Sequence, residues 1–441
     1  MTVEVTDLGS QGQGVARLAG HVVFVPGALP GELVAARIRD QTPSWARAAL
    51  SAVLKPSPDR TAPFCPVAGR CGGCQLQHLS LSGQERAKRQ RVISALVRFG
   101  GVERPEVLPL TPSPQDRGYR HKVALVPWGS PGALRLGFYA PGSHRVVTHP
   151  SCPVHAPAGE AAAHALLDAV NALRIPAWAG PGEAGRLRHV VVRTSRARGE
   201  TMGILVMSRL LPGEEDLLAR RLAGDARLTS VYVNLNDSPG NAILGPRFVH
   251  VAGARVLWER SGDLEFPLSP GSFFQVNPAA AELLLAAAEE AAALTGTQRI
   301  LDLFAGVGVM TLRLGRRART ALGIEAAGDA VADGRQAVER AGLQGVELRQ
   351  GDAAEAVAEL GAAGERFDLV TLDPPRRGAP EVLEGLLGLG APRILYVSCD
   401  PVTLARDVRT LAAGGYHLAW ARPFDLFPHT AHVETLAELV R

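Results

Sequence analysis

Cys399 ends an apolar run, RILYVSCDPVTLARD, that reads as a buried strand turning into a helix. A lone cysteine at such a place is most often a small buried hydrophobe. Position argues otherwise here. Gly306, Glu325, Asp352 and Asp373 also fall at the ends of predicted strands in the same part of the chain. In an open parallel sheet those ends share one edge, the edge where ligands bind. A thiolate there is suited to adding to carbon 6 of a uracil ring, which turns the ring into an enolate and makes carbon 5 nucleophilic enough to take a sulfonium methyl group. A base must then remove the carbon-5 proton so that the thiolate can leave. HTAHVETLAEL, near the C-terminus, offers Glu434 as that base, and His429 and His432 as residues that either shape the site or are purely structural.

The methyl donor is implied by the glycine turn. RILDLFAGVGVMTLRL reads as strand, turn and helix, with Gly306 and Gly308 letting the backbone approach a ligand closely. GxG alone is weak. Position 311 is Thr, so the third glycine of a pyrophosphate-binding fingerprint is missing. Glu325 is placed to accept both ribose hydroxyls of an adenosine, and Asp352 to reach an adenine edge. Acids at the ends of the second and third strands suit a nucleoside without phosphates, S-adenosylmethionine rather than NAD. In LDPPRRG, Arg376 stands where an aromatic residue would follow the two prolines of an amine-methylating motif, which argues against amine chemistry. Gln275 could hydrogen-bond a ligand edge, and Phe273 or Phe274 could stack on a base flipped into the pocket.

These residues require an α/β scaffold. From SFFQVNPAAAELLL onward, strand and helix patterns alternate, the rhythm of a largely parallel, Rossmann-like sheet at 269–441. Asn277 is expected to cap a helix that starts with Pro278. Residues 1–54 read as short strands with glycine turns, a small β-barrel, and KPSPDRTAP (55–63) as a Pro-rich linker. The central domain, 55–268, is expected to be β-rich, with a basic helical stretch at QERAKRQRVISALVRFG and an Ala-rich helix near 158–174.

Composition sets outer limits. The chain has 441 residues, 46% hydrophobic and 20% charged, and no apolar run long enough to span a membrane. The start lacks a secretory layout, so the expectation is a cytoplasmic monomer. Net charge is +4, and only three of the 47 basic residues are lysine. A GC-rich genome accounts for that bias, which is also compatible with RNA binding. Cys65, Cys71, Cys74 and Cys152 lie far from Cys399 and suggest a second use of cysteine. Three thiols at short spacing with a remote fourth suit either an iron–sulfur cluster or zinc.

SFFQVNP, LDLFAGVG, LDPPRRG, SCDPVTLARD and HVET together resemble the bacterial RNA 5-methyluridine methyltransferases, and the resemblance covers nearly the whole chain. The segment Tyr119-Arg120-His121-Lys122 is also similar to one in that family. The resemblance implies a TRAM barrel at 2–54 that binds RNA and a [4Fe–4S] cluster on Cys65, Cys71, Cys74 and Cys152. It implies S-adenosylmethionine contacts at Gln275, Phe304, Glu325, Asp352 and Asp373, with Cys399 as nucleophile and Glu434 as base. Val309 and Asp400 depart from the commoner residues. Barrel and cluster together favour 23S ribosomal RNA as the substrate, with transfer RNA as the alternative. A radical enzyme would want a C-x3-C-x2-C triad, and a cytosine-5 enzyme a further cysteine in the DPPRRG motif. A third alternative is an inactive RNA-binding or redox-sensing protein, against which Cys399, Asp373 and Glu434 speak.

Overall fold

The computed structural model describes residues 1–180 and 185–441. Five strands, Thr2–Leu8, Gly14–Leu18, His21–Val25, Leu33–Gln41 and Trp45–Lys55, close into a barrel. Alternating Val3, Val5, Val23, Val25 and Val34 fill its interior. The Pro-rich stretch after it is not a loose linker. Arg60 grips Glu32 bidentately at 2.5 and 2.8 Å and also donates to the Gly27 carbonyl, fixing the stretch to the barrel.

The central sheet has seven strands in the order Arg247–Gly253, Ser230–Leu235, Thr201–Met207, Leu187–Thr194, Lys122–Trp128, Arg135–Tyr139, Val146–Thr148. The Ala-rich helix, Pro157–Ala172, covers one face through Ala162, Leu166 and Ala169. The basic helix, Leu81–Arg98, leaves the central region and packs Val92, Ala95 and Leu96 into the core of the C-terminal domain.

That C-terminal domain is a second seven-stranded sheet in the order Val346–Gln350, Thr320–Glu325, Arg299–Leu303, Leu369–Leu372, Arg393–Ser398, Glu434–Val440, His417–Phe424. The first five strands run parallel; Glu434–Val440 enters antiparallel beside Arg393–Ser398. Sequence order reverses at Arg299–Leu303, which opens a crevice at the carboxyl ends. Asn277 caps the helix Pro278–Ala292 by accepting from the Ala280 amide, and its own amide donates to Ser113 and the Leu426 carbonyl. The missing third glycine has a structural counterpart. Gly323, on the neighbouring strand, gives up its side chain to Thr311, whose Oγ1 lies 2.6 Å from where a Cβ would stand. No helix among the described residues is long and apolar enough to cross a membrane.

Candidate active site

A cavity of about 740 Å³ opens at the carboxyl edge of the C-terminal sheet. Gln275, Phe304, Gly306, Glu325, Asp352, Asp373, Cys399 and Glu434 all line it. Gly308 does not. It caps the helix Val309–Gly315 in the left-handed conformation, φ +78°, with Leu312 and Leu348 packed where a side chain would go. Phe304 also has positive φ, +61°, a strained turn directly after its strand that aims the glycine loop at the cavity.

Two acids hold the loops that carry them. Glu325, the last residue of its strand, accepts from the Gly306 amide at 2.9 Å and the Ala327 amide at 2.8 Å. Asp352 lies two residues past its strand and caps the helix Ala353–Ala362 through Oδ1. Its other oxygen makes no hydrogen bond among the described residues. Asp302, which the sequence reading passed over, sits at the cavity base and accepts hydroxyl bonds from Thr311 and Thr371. Burial lifts its carboxyl to about 6 against those two bonds. A lone acid inside the apolar strand RILDL was the available signal.

Cys399 follows the strand Arg393–Ser398, and Glu434 begins the antiparallel strand beside it, with Ser398 paired to Thr435. Asp400 accepts from the Val402 and Thr403 amides and caps the next helix, so the departure at this position keeps a strong N-cap. Burial pushes the Cys399 thiol up to about 11. Glu434 adds to the push, Arg376 opposes it, and Asp373 contributes less. Glu434 is 3% exposed, and its side chain makes no hydrogen bond among the described residues. Burial, then the nearby Asp373, raises its carboxyl to about 8, with Arg376 pulling the other way. Asp373 is packed about with protein yet open to the cavity; desolvation, with Asp302 beside it, lifts it to about 7.

The two histidines separate. His432 lines the cavity, edge-on to Phe427, and burial with the surrounding cations pulls it to about 4. His429 lies outside the cavity, held by Gln84 and Asp116, and its carbonyl accepts from Leu76. It is a structural joint between the cysteine loop and the C-terminal domain. Phe273 is 56% exposed at the cavity edge, whereas Phe274 tilts against Phe266.

The four remaining cysteines share one neighbourhood. Burial raises the thiols of Cys71, Cys74 and Cys152, and repulsion adds to it: Cys65 acts on Cys71, Cys71 and Cys65 on Cys74, and Cys74, Glu160 and Cys71 on Cys152. Among the described residues no group of three or more His, Cys, Asp or Glu side chains is arranged to hold a single metal ion.

The reversed strand order, the glycine turn, the acids after successive strands and the antiparallel final pair define an S-adenosylmethionine-dependent methyltransferase. Comparison with known proteins narrows the class. Residues 261–441 match the tRNA (uracil-5-)-methyltransferase family model, and residues 1–50 match the TRAM domain. An uncharacterised RNA methyltransferase of Halalkalibacterium halodurans is 35% identical, covering 99% of this chain and 96% of its own. Another, of Synechocystis, is 37% identical over 98% of this chain and 93% of its own. The crystal structure of Pyrococcus abyssi tRNA (uracil-54, C5)-methyltransferase, in complex with S-adenosyl-L-homocysteine, matches with a TM-score of 0.77 and 28% identity, covering 100% of both chains. The chain belongs to the RNA uracil-5-methyltransferase family, carries an N-terminal TRAM domain and uses S-adenosylmethionine.

Proposed function

We propose that the enzyme methylates carbon 5 of one specific uridine in 23S ribosomal RNA, with Cys399 as nucleophile and Glu434 as base. The reading rests above all on the strand register that sets Cys399 beside Glu434 at the cavity holding Gly306 and Glu325. The uridine leaves its stack and enters the cavity past Phe273. Cys399 gives its proton to solvent water, and Sγ bonds to carbon 6 while electrons move onto the carbon-4 oxygen. Carbon 5 of the enolate then takes the methyl group as the carbon–sulfur bond of the sulfonium breaks, leaving S-adenosylhomocysteine. The Glu434 carboxylate removes the carbon-5 proton, the 5,6 double bond re-forms, and Sγ is released as thiolate.

Within the cavity, Glu325 offers its remaining lone pairs to the ribose hydroxyls and Asp352 its free oxygen to the adenine. Gln275, Phe304, Gly306 and Asp373 complete the cofactor contacts, and Gly308 serves by shaping the turn. Asp373 and Asp302 suit a cationic sulfonium, whose charge draws both toward the ionised form.

Cys65, Cys71, Cys74 and Cys152 would hold a [4Fe–4S] cluster. The donor set fits it: four thiols, the ligands such clusters take, near enough for their charges to act on one another. Methyl transfer needs no electron, so the cluster would staple this loop between barrel and C-terminal domain.

The barrel combined with the four-cysteine element favours 23S RNA. Transfer RNA is the second reading, favoured by the full-length likeness to the Pyrococcus enzyme. Mass-spectrometric mapping of 5-methyluridine in both RNAs from a deletion strain distinguishes them. Loss of one 23S site supports the first reading, and loss from transfer RNA alone overturns it.

A further inference from the structure

The connection 425–433, between the strands His417–Phe424 and Glu434–Val440, brings Leu426, Phe427 and His432 to the cavity and leads directly into Glu434. Strand register holds Glu434 only in part. It pairs with Phe424 on one side, but on the other the last pair is Ser398 with Thr435. Beside Cys399, the place of the carboxylate therefore depends on the chain that leads into it. That chain is strained: His429 has φ +66°, a left-handed turn that costs a non-glycine residue free energy and persists where its surroundings impose it.

The surroundings come from distant segments. One face of the helix Leu81–Arg98 presents Gln84, Lys88 and Arg91 to the connection. Gln84, fully buried, accepts from the His429 amide at 2.8 Å through Oε1, while its Nε2 donates to the Leu76 and Leu79 carbonyls at 3.1 and 2.8 Å. Lys88, equally buried, donates through Nζ to Asp425 at 2.7 Å and to the Phe427 carbonyl at 3.1 Å. Arg91 donates to the Ala431 carbonyl at 2.7 Å. From outside the helix, the Leu76 amide donates to the His429 carbonyl, the Tyr119 hydroxyl to that of Pro428, and the Asn277 side-chain amide to that of Leu426. Five carbonyls between Leu426 and Ala431 are thus bound by other parts of the chain, where a surface loop would leave most of them to water.

We propose that Gln84 and Lys88 are positioning residues for proton abstraction, setting the Glu434 carboxylate against carbon 5 through the connection 425–433. The inference rests on the assignment of Glu434 as base and names the residues that hold it in place. Gln84 acts at the strained residue and Lys88 at the start of the connection. An ion pair buried as deeply as Lys88 with Asp425 adds little net stability over an apolar pair of similar volume; what it supplies here is one fixed geometry. Cys399 and the glycine turn belong to other segments, so attack and methyl transfer are spared when these contacts are lost.

The test runs two assays of the full-length protein on a transcript that the unmodified protein methylates. With 5-fluorouridine in the transcript the reaction stops after methyl transfer, so the rate of adduct formation reads attack and methylation without the base. With ordinary uridine, turnover needs every step. Q84M and K88M are expected to form the fluorouridine adduct at the unmodified rate. They should turn over uridine RNA roughly 10- to 100-fold more slowly, the scale of loss from displacing a reacting group by about 1 Å, with a covalent enzyme–RNA species accumulating. A purely structural role would lower both rates together, or lower Tm and neither rate; either result overturns the inference. Should K88M leave Asp425 buried without counter-charge and fail to fold, K88M/D425N removes that charge while still freeing the Phe427 carbonyl, and the same split is expected of it. E434Q is the reference. If E434Q shows the split and the Gln84 and Lys88 variants do not, the positioning role is wrong and the base assignment stands. If E434Q turns over uridine RNA normally, the base assignment itself fails and the positioning role falls with it.

Discussion

Cys399 and Glu434 leave neighbouring antiparallel strands side by side, because Ser398 and Thr435 are paired in register. A one-residue slip would turn each side chain to the opposite face of the sheet. The pair is therefore fixed by backbone hydrogen bonding and by the buried faces around Tyr396, Val397 and Leu436, independently of any contact between the two side chains.

Removing the thiol should separate binding from chemistry. Cys399→Ala is predicted to bind S-adenosylmethionine normally, as read by calorimetry, and to lose roughly 10³-fold or more in methyl transfer to RNA. Substantial residual activity would mean that another group activates the ring.

Glu434→Gln should stall later. Methyl transfer proceeds once, the carbon-5 proton stays, and a covalent enzyme–RNA species accumulates on a denaturing gel. Normal turnover in this variant would assign the proton to water or to Asp373.

The same substitution carries a stability signature. The folded state raises the Glu434 carboxyl from its ordinary value to about 8, so it binds this proton more tightly than the unfolded chain does. The resulting stabilisation is complete below the unfolded value and is lost as pH rises through about 8. Glu434→Gln should therefore match the unmodified protein in Tm near pH 4.5 and exceed it by several degrees near pH 9. Equal Tm values at both pH values would show that the carboxyl is not held in the protonated form.

Activity should move the same way. Attack needs an ionised Cys399 and proton abstraction an ionised Glu434, and burial raises both. We expect kcat/KM to climb with pH from about 6.5 to about 9, and kcat, measured with cofactor bound, to reach its plateau at lower pH because the sulfonium charge favours both ionised forms. A rate that falls across this range would contradict those assignments.

The wall that carries Gln275 depends on a clamp from two domains. Asp333 accepts from the Ser269 amide and from the Ser269 and Ser272 hydroxyls, while Arg193, on the central sheet, donates to the Ser269 and Ser272 carbonyls. Asp333→Asn should raise the Kd for S-adenosylmethionine about 10-fold, roughly the loss of one charge-assisted bond, with little change in kcat at saturation. An unaltered Kd would show that the loop holds its shape without Asp333.

Much of this was legible in the sequence, for physical reasons. The apolar strands Arg299–Leu303, Thr320–Glu325 and Arg393–Ser398 are flanked by glycine turns and cap residues, and Asn277 with Pro278 announced a helix start that formed as expected. Local chemistry also marked Glu325 and Cys399. What could not be read depends on packing between distant segments. Nothing in HTAHVETL distinguishes His429, buried against Gln84 and Phe64, from His432 in the cavity. Gly308 reads like Gly306 but serves its helix, because Leu312 and Leu348 occupy the space beside it. Helix Leu81–Arg98 looks like part of the central domain until Val92 and Leu96 are seen in the C-terminal core.

The central claim is tested most directly by incubating the protein and S-adenosylmethionine with RNA containing 5-fluorouridine, which cannot surrender its carbon-5 substituent as a proton, and digesting the trapped product for mass spectrometry. A methylated RNA adduct on the peptide that contains Cys399 is the predicted result. An adduct on any other residue, or none from a protein that methylates ordinary uridine, would contradict it.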